Sequence, residues 1–201
     1  MTIESAPLAP PYIATLQAAT LRGAARPRAD AVVNALLQAE KTAKQEHLVY
    51  PIAPLLGQWQ LCFVTGTRKV RRGGVALGRG FYVPRLAPAQ ISFETSTEAM
   101  AIGNQVQFGP VRLQLTGPAR YVGKKNLVAF DFNQWRLNLF GRSFFSGAMR
   151  GGKVQAEKFE QQSIAQLPFF SFFLITEDFI AARGRGGGLA LWVRVTANSA
   201  E

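Results

Sequence analysis

From Gly57 onward the chain is a train of short runs rich in Val, Phe, Leu and Ile, cut every eight to twelve residues or so by glycine or proline. That texture belongs to antiparallel β structure, because strands take β-branched and aromatic residues while the turns between them need glycine's freedom and proline's fixed φ. Ten runs qualify: 58–65, 80–83, 90–95, 101–108, 111–121, 127–132, 136–140, 144–149, 169–175 and 189–196. Ten strands are more than enough to close a sheet on itself.

Alternation shows which sides face an interior. In the first run Trp59, Leu61, Phe63 and Thr65 share one face and Gln58, Gln60, Cys62 and Val64 the other. Residues 111–115 (VRLQL) alternate more sharply still. A barrel of about eight strands either fills itself with side chains or holds one small ligand. The interior candidates are Trp59, Phe63, Phe81, Phe93, Phe130, Phe132 and Trp192. They read equally as an ordinary core and as the lining of an apolar cavity.

Before the strands, residues 12–46 carry apolar positions at helical spacing: Ile13, Leu16 and Leu21, then Val32, Val33, Leu36 and Leu37. Residues 23–28, with Gly23 and Pro27, split them into two helices. The chain therefore divides into a helical segment, residues 1–50, and a β domain, residues 51–197. Residues 150–167 interrupt the strand pattern and read as an exposed loop or short helix.

Composition narrows the chemistry. One cysteine, Cys62, excludes an intramolecular disulfide, and one histidine, His47, leaves no usual His/Cys zinc site and little room for a histidine-based nucleophilic triad. Glu177 and Asp178 are adjacent, so along a strand they would face opposite ways and make a poor acid/base pair. We expect no enzyme and no cofactor. Asp178 with Arg183 or Arg185 reads instead as a partly buried ion pair, either structural or a polar anchor for a ligand. Residues 1–11 lack the basic start and apolar stretch of a secretion signal, and the strongest apolar run, LPFFSFFLI at 167–175, is too short to span a bilayer as a helix. That run reads as a buried strand or as an aromatic wedge at a membrane interface.

The net charge is +11. Residues 61–153 hold fourteen Lys and Arg against Glu94, Glu98 and Asp131, which accounts for the whole excess; elsewhere nine basic and nine acidic residues cancel. The densest groups are Arg68, Lys69, Arg71 and Arg72 after the first run and Lys124 with Lys125 in a later turn. A basic rim on strands and turns suits an anionic membrane surface. Three Arg-Gly-Gly triplets occur, but turn chemistry accounts for their glycines, so nucleic acid is not the expected partner. The glycine-rich residues 183–188 precede a strand rather than a helix, which argues against a dinucleotide fingerprint.

Gly57-Gln58-Trp59, placed after helices and before the strands, resembles the opening motif of lipocalins. In such a barrel the tryptophan closes the base, and an arginine of the last strand, here Arg194, can lie over its face as a cation–π lid. Two longer stretches resemble the plastid lipid-associated protein family (PAP/fibrillin) of cyanobacteria and plastids. Residues 55–65 (LLGQWQLCFVT) are similar to its L-x-G-x-W-x-L-x-Y-T opening. Residues 175–184 (ITEDFIAARG), with the final run LALWV, are similar to its closing L-D-x-x-x-R-I-x-R-G. Thr176 and Ile180 depart from that closing pattern, while Asp178, Arg183 and Gly184 keep it. The resemblance implies a mainly β, lipocalin-like antiparallel β-barrel after a helical segment. It further implies a non-catalytic role: binding a lipid, isoprenoid or prenylquinone, or organising lipid at the thylakoid surface of a cyanobacterium, cytoplasmic or peripheral. A filled barrel that docks on a membrane or a protein partner is the alternative, and an RNA-binding module the less favoured one.

Overall fold

A computed structural model describes residues 10–21, 23, 25–69, 75–84, 86–96, 99–149 and 159–196. The fold is mainly β, with eleven antiparallel strands in one sheet and two helices ahead of them. The helices are α1, Pro11–Thr20, and α2, Ala29–Gln45. The strands are β1 Gly57–Lys69, β2 Val75–Tyr82, β3 Ala89–Thr95, β4 Met100–Phe108, β5 Val111–Val122, β6 Leu127–Phe130, β7 Gln134–Leu139, β8 Arg142–Ala148, β9 Phe169–Ile175, β10 Phe179–Gly184 and β11 Leu189–Arg194. All ten runs read from the sequence form strands. The eleventh, β10 (FIAARG), escaped because only its first two residues, Phe179 and Ile180, are aromatic or β-branched.

The pairings make the sheet partly ring-like. Starting from β1 they pass through β11, β10, β9, β6, β5, β4 and β3 and return to β1. β2 lies outside this circuit on the second half of β1, and β7 and β8 continue from the first half of β5. The switch of β5 from β7 to β6 occurs at Gly117, where a Cβ would stand 1.8 Å from the Asp131 carbonyl oxygen. Only glycine lets the two backbones approach so closely.

Side chains sort into three cores. The ring's inner face carries Trp59, Ile91, Phe93, Met100, Ile102, Val128, Phe130, Phe172, Ile180 and Trp192, drawn from β1, β3, β4, β6, β9, β10 and β11, with Ala119 and Tyr121 from β5. A second core lies outside β1, β9, β10 and β11, under the helices. α2 presents Val32, Ala35, Leu36, Ala39 and Ala43 at the three-to-four spacing of one helix face, and α1 adds Leu16 and Ala19. The third joins Phe159 and Leu167 to Leu127 and Ala129. Of residues 150–167, those at 150–158 lie outside the described residues; those at 159–167 open on a short helix, Phe159–Gln161, as one of the two expected forms, and are partly buried rather than wholly exposed. Arg120 fastens them by donating to the Glu160 carbonyl at 2.7 Å and the Gln162 carbonyl at 2.9 Å. No helix among the described residues is long and apolar enough to cross a membrane.

Candidate functional site

Alternation in β1 breaks at a bulge. Leu61 pairs with Trp192 and Phe63 with Leu191, so Cys62 is the extra residue between them. The bulge reverses every side chain beyond it. Trp59 and Leu61 belong to the inner core, whereas Phe63 belongs to the core under the helices. Phe63 is therefore corrected out of the interior. Its ring sits edge-on to Tyr82 at 5.1 Å, and β2 approaches so closely that a Cβ on Gly80 would lie 2.2 Å from it. Phe81 is also corrected, because its side chain is 53% exposed on β2, outside the circuit.

The other five interior candidates are where alternation put them. Trp59, Phe93, Phe130 and Trp192 are buried on the inner face and Phe132 packs partly buried against them. Phe170 and Phe172 of β9 complete the group. Phe130 stacks on Phe170 at 5.2 Å, Phe170 meets Trp192 edge-on at 5.6 Å, and Phe93 meets Phe172 edge-on at 5.9 Å. These offset and edge-on contacts are those of a packed aromatic core.

One end of this interior is closed by Arg194. Its guanidinium carbon lies 4.0 Å from the Trp59 ring centroid. The same group donates to the carbonyls of Leu56 at 2.9 Å, Pro54 at 2.5 Å and Glu177. Trp59 Nε1 donates to the Leu55 carbonyl at 2.7 Å. Gly57 makes this possible. Its φ of 113° turns the chain from the short helix Ala53–Leu55 into β1, and a Cβ there would stand 3.0 Å from Arg194 Nη1.

The anchor pair reads differently. Asp178 is exposed in the β9–β10 turn, and Arg183 instead forks onto Glu40 of α2, with Nε–Oε1 at 2.9 Å and Nη2–Oε2 at 2.5 Å. Arg183 also donates to the Gly187 carbonyl. The Arg183 hydrogen bonds hold the Glu40 carboxyl below its ordinary value against burial, which pushes the other way, and Lys44 adds to the lowering. Glu40 raises Arg183 in return. The pair ties α2 to β10 beneath the helices, away from the inner face. Sequence reasoning missed Glu40 because its partner is 143 residues away.

Asn126 was missed as well. It takes a left-handed φ of 47°, donates to the Leu48 carbonyl at 2.6 Å and accepts from Tyr50 N at 2.9 Å. Tyr121 donates to the Tyr50 carbonyl at 2.7 Å, and burial pushes both phenols up, so both stay neutral donors. This latch seats the link between α2 and β1.

The basic candidates divide. Antiparallel pairing gives β1, β4 and β7 one direction, so the C-terminal end of β1 and the β4–β5 and β7–β8 turns lie at one end and the β5–β6 turn at the other. Arg68 is exposed near the first of these; Arg71, Arg72 and the Lys69 side chain lie outside the described residues. Lys124 and Lys125 line a groove of about 310 Å³ with Lys44 and His47 at the far end of α2. Grouping these six as one docking face is corrected, because Arg68 and Lys124 belong to opposite ends.

Two surfaces went unread in the sequence. A shallow polar cleft of about 380 Å³ crosses the outer face of β3, β4 and β5. Its amides form a ladder: Asn138 donates to Gln114 at 2.8 Å, Gln114 to Gln105 at 3.2 Å and Gln105 to Gln90 at 2.9 Å. These groups largely satisfy one another and act as a seam across four strands. The opposite face of the same strands carries apolar rows, and β8 leaves Phe144 and Phe145 exposed. Among the described residues no group of His, Cys, Asp and Glu is arranged to hold a metal ion.

Comparison with protein-family models, with curated proteins and with solved structures gives no match.

Proposed function

We propose that this chain is a non-enzymatic, lipid-associated protein: a lipocalin-like barrel, filled by its own side chains, that docks on an anionic lipid surface through the end bearing the β4–β5 and β7–β8 turns. The observation that carries the reading is the charge of those strands. β4, β5, β7 and β8 carry not one carboxylate, and Arg112, Arg136 and Arg142 stand on them beside an exposed apolar face, while Arg120, at the other end of β5, is engaged by Glu160 and Gln162. An apolar surface on strands that bear arginines and no carboxylates suits the boundary between anionic headgroups and acyl chains.

The lipocalin-like description is supported by the ring of eight strands and by Arg194 over Trp59. The resemblance of both chain ends to PAP/fibrillin suggests the thylakoid surface as the membrane. A carrier of an isoprenoid or prenylquinone inside the barrel is the rival. It would require the inner aromatics, led by Phe130, Phe170 and Trp192, to give way.

Two experiments separate these readings. Flotation with vesicles of phosphatidylcholine alone or with phosphatidylglycerol, at ~50 and ~500 mM salt, should show binding that needs the anionic lipid and weakens with salt as the Debye length shortens. Mass spectrometry of an organic extract of the purified protein should find no stoichiometric hydrophobic ligand. Absence of vesicle binding, or competition for it by single-stranded RNA, would overturn the proposal; a stoichiometric ligand would restore the carrier.

A further inference from the structure

The β7–β8 turn holds an aromatic residue where folding alone favours another. Phe140 and Gly141, between Leu139 and Arg142, have φ of 49° and 76°. Two successive positive φ angles are those of a type I′ turn, whose first position favours asparagine or glycine and is strained for a bulky residue. The Phe140 side chain offsets none of that strain by burial, being 78% exposed. Backbone strain of this kind clusters at functional sites, and here it is held at an exposed aromatic.

The neighbouring turn is joined to it. Phe140 N donates to the Pro110 carbonyl at 3.0 Å, and Val111 pairs with Leu139. Phe108, across from Val111, is 70% exposed, and Phe144 is 63% exposed with its ring 5.1 Å from that of Phe145. Arg142 pairs with Leu139 and Arg112 with Asn138, so guanidinium groups start within two residues of the aromatic tip. Arginine next to exposed phenylalanine, without a carboxylate on these strands, is the arrangement in which the ring enters the acyl boundary while the charge snorkels to the headgroups.

We infer that the paired β4–β5 and β7–β8 turns form a membrane-inserting tip, with Phe140, Phe144 and Phe108 as its apolar wedge and Arg142 and Arg112 as its headgroup contacts. The inference rests on the docking function proposed above and identifies the surface that performs it. Its occupant is an anionic bilayer.

The test uses Phe140→Asn in the full-length chain, with phosphatidylglycerol-containing vesicles. Asparagine suits the turn, so the variant should unfold at the same temperature as the parent or a higher one. Its vesicle affinity should fall about tenfold, the loss expected for withdrawing one partly buried phenylalanine. Phe144→Ser, on the adjacent strand, should also weaken binding, and an environment-sensitive fluorophore on Phe108→Cys should shift to the blue on adding vesicles. If the parent binds and Phe140→Asn binds equally, the tip is wrong while the docking function stands. If the parent does not bind, both fail. A concentration-dependent dimer in buffer that Phe140→Asn abolishes would assign this face to a second copy of the chain and overturn the lipid assignment.

Discussion

Arg194 lies over Trp59, its guanidinium carbon 4.0 Å from the ring centroid, and from there reaches three backbone carbonyls on two separate segments. One side chain thus ties the last strand to the first strand, to the short helix before it and to the β9–β10 turn. Arg194→Ala should destabilise the fold by about 2–3 kcal/mol, combining a cation–π contact with charge-assisted hydrogen bonds. Arg194→Lys should recover less than half, since a single ammonium cannot fan out to three acceptors while lying on the ring. Urea unfolding monitored by tryptophan fluorescence measures both.

Gly57 should tolerate no other residue. Its φ of 113° excludes side chains, and an added Cβ would press on Arg194 at 3.0 Å. Gly57→Ala should therefore cost about 1–3 kcal/mol. In combination with Arg194→Ala the costs should be less than additive, because the clash with the guanidinium disappears. A double-mutant cycle in urea reads this directly.

The Glu40–Arg183 pair makes stability depend on acid. Glu40 has its folded-state pKa lowered from an ordinary 4.5, chiefly by hydrogen bonds from Arg183. Its contribution is therefore fully present above the unfolded-state value and is lost as pH falls from there through the folded value. Glu40→Gln should lower stability by about 2 kcal/mol at neutral pH. The gap between variant and parent should shrink as the pH drops below about 4.5. Thermal melts across that range test the sign; a gap that widens in acid would be the contrary result.

Charge reversal should act at one end only. Arg142→Glu places a carboxylate beside Phe140 and should abolish binding to phosphatidylglycerol vesicles at moderate salt. Lys124→Glu with Lys125→Glu, at the opposite end of the sheet, should leave binding within about twofold of the parent. Flotation of the three proteins side by side makes the comparison, and equal losses would point to a diffuse rather than a localised surface.

Much of the architecture was legible in the residues. Alternation around Trp59 and Phe93 identified inward faces, glycine and proline marked the turns, and Gly57-x-Trp59 with a basic residue on the last strand anticipated the Arg194 lid. The lid could be read because its parts are types with few other uses at those places. Phe63 could not be read the same way. The bulge at Cys62 inserts one unpaired residue, and nothing in the sequence LCF signals that two consecutive residues will oppose one. Phe81 failed for another reason: it lies on β2, which pairs only with β1 and never joins the circuit. Its apolar character reads as inward because strand texture does not reveal a strand's neighbours.

The sequence by itself determined the β-rich class, the two preceding helices, the absence of a disulfide framework and the confinement of all excess charge to residues 61–153. These follow from local propensity and composition, which act over a few residues at a time. Tertiary structure alone decided that Arg183 serves Glu40 rather than Asp178, that Lys124 and Arg68 face opposite ends, and that the aromatics divide between a packed interior and an exposed tip. Those outcomes depend on which strands pair and in what register. Pairing is settled by long-range burial and backbone hydrogen bonding over the whole sheet, and a single bulge or switch of partner reverses the faces that local pattern assigns.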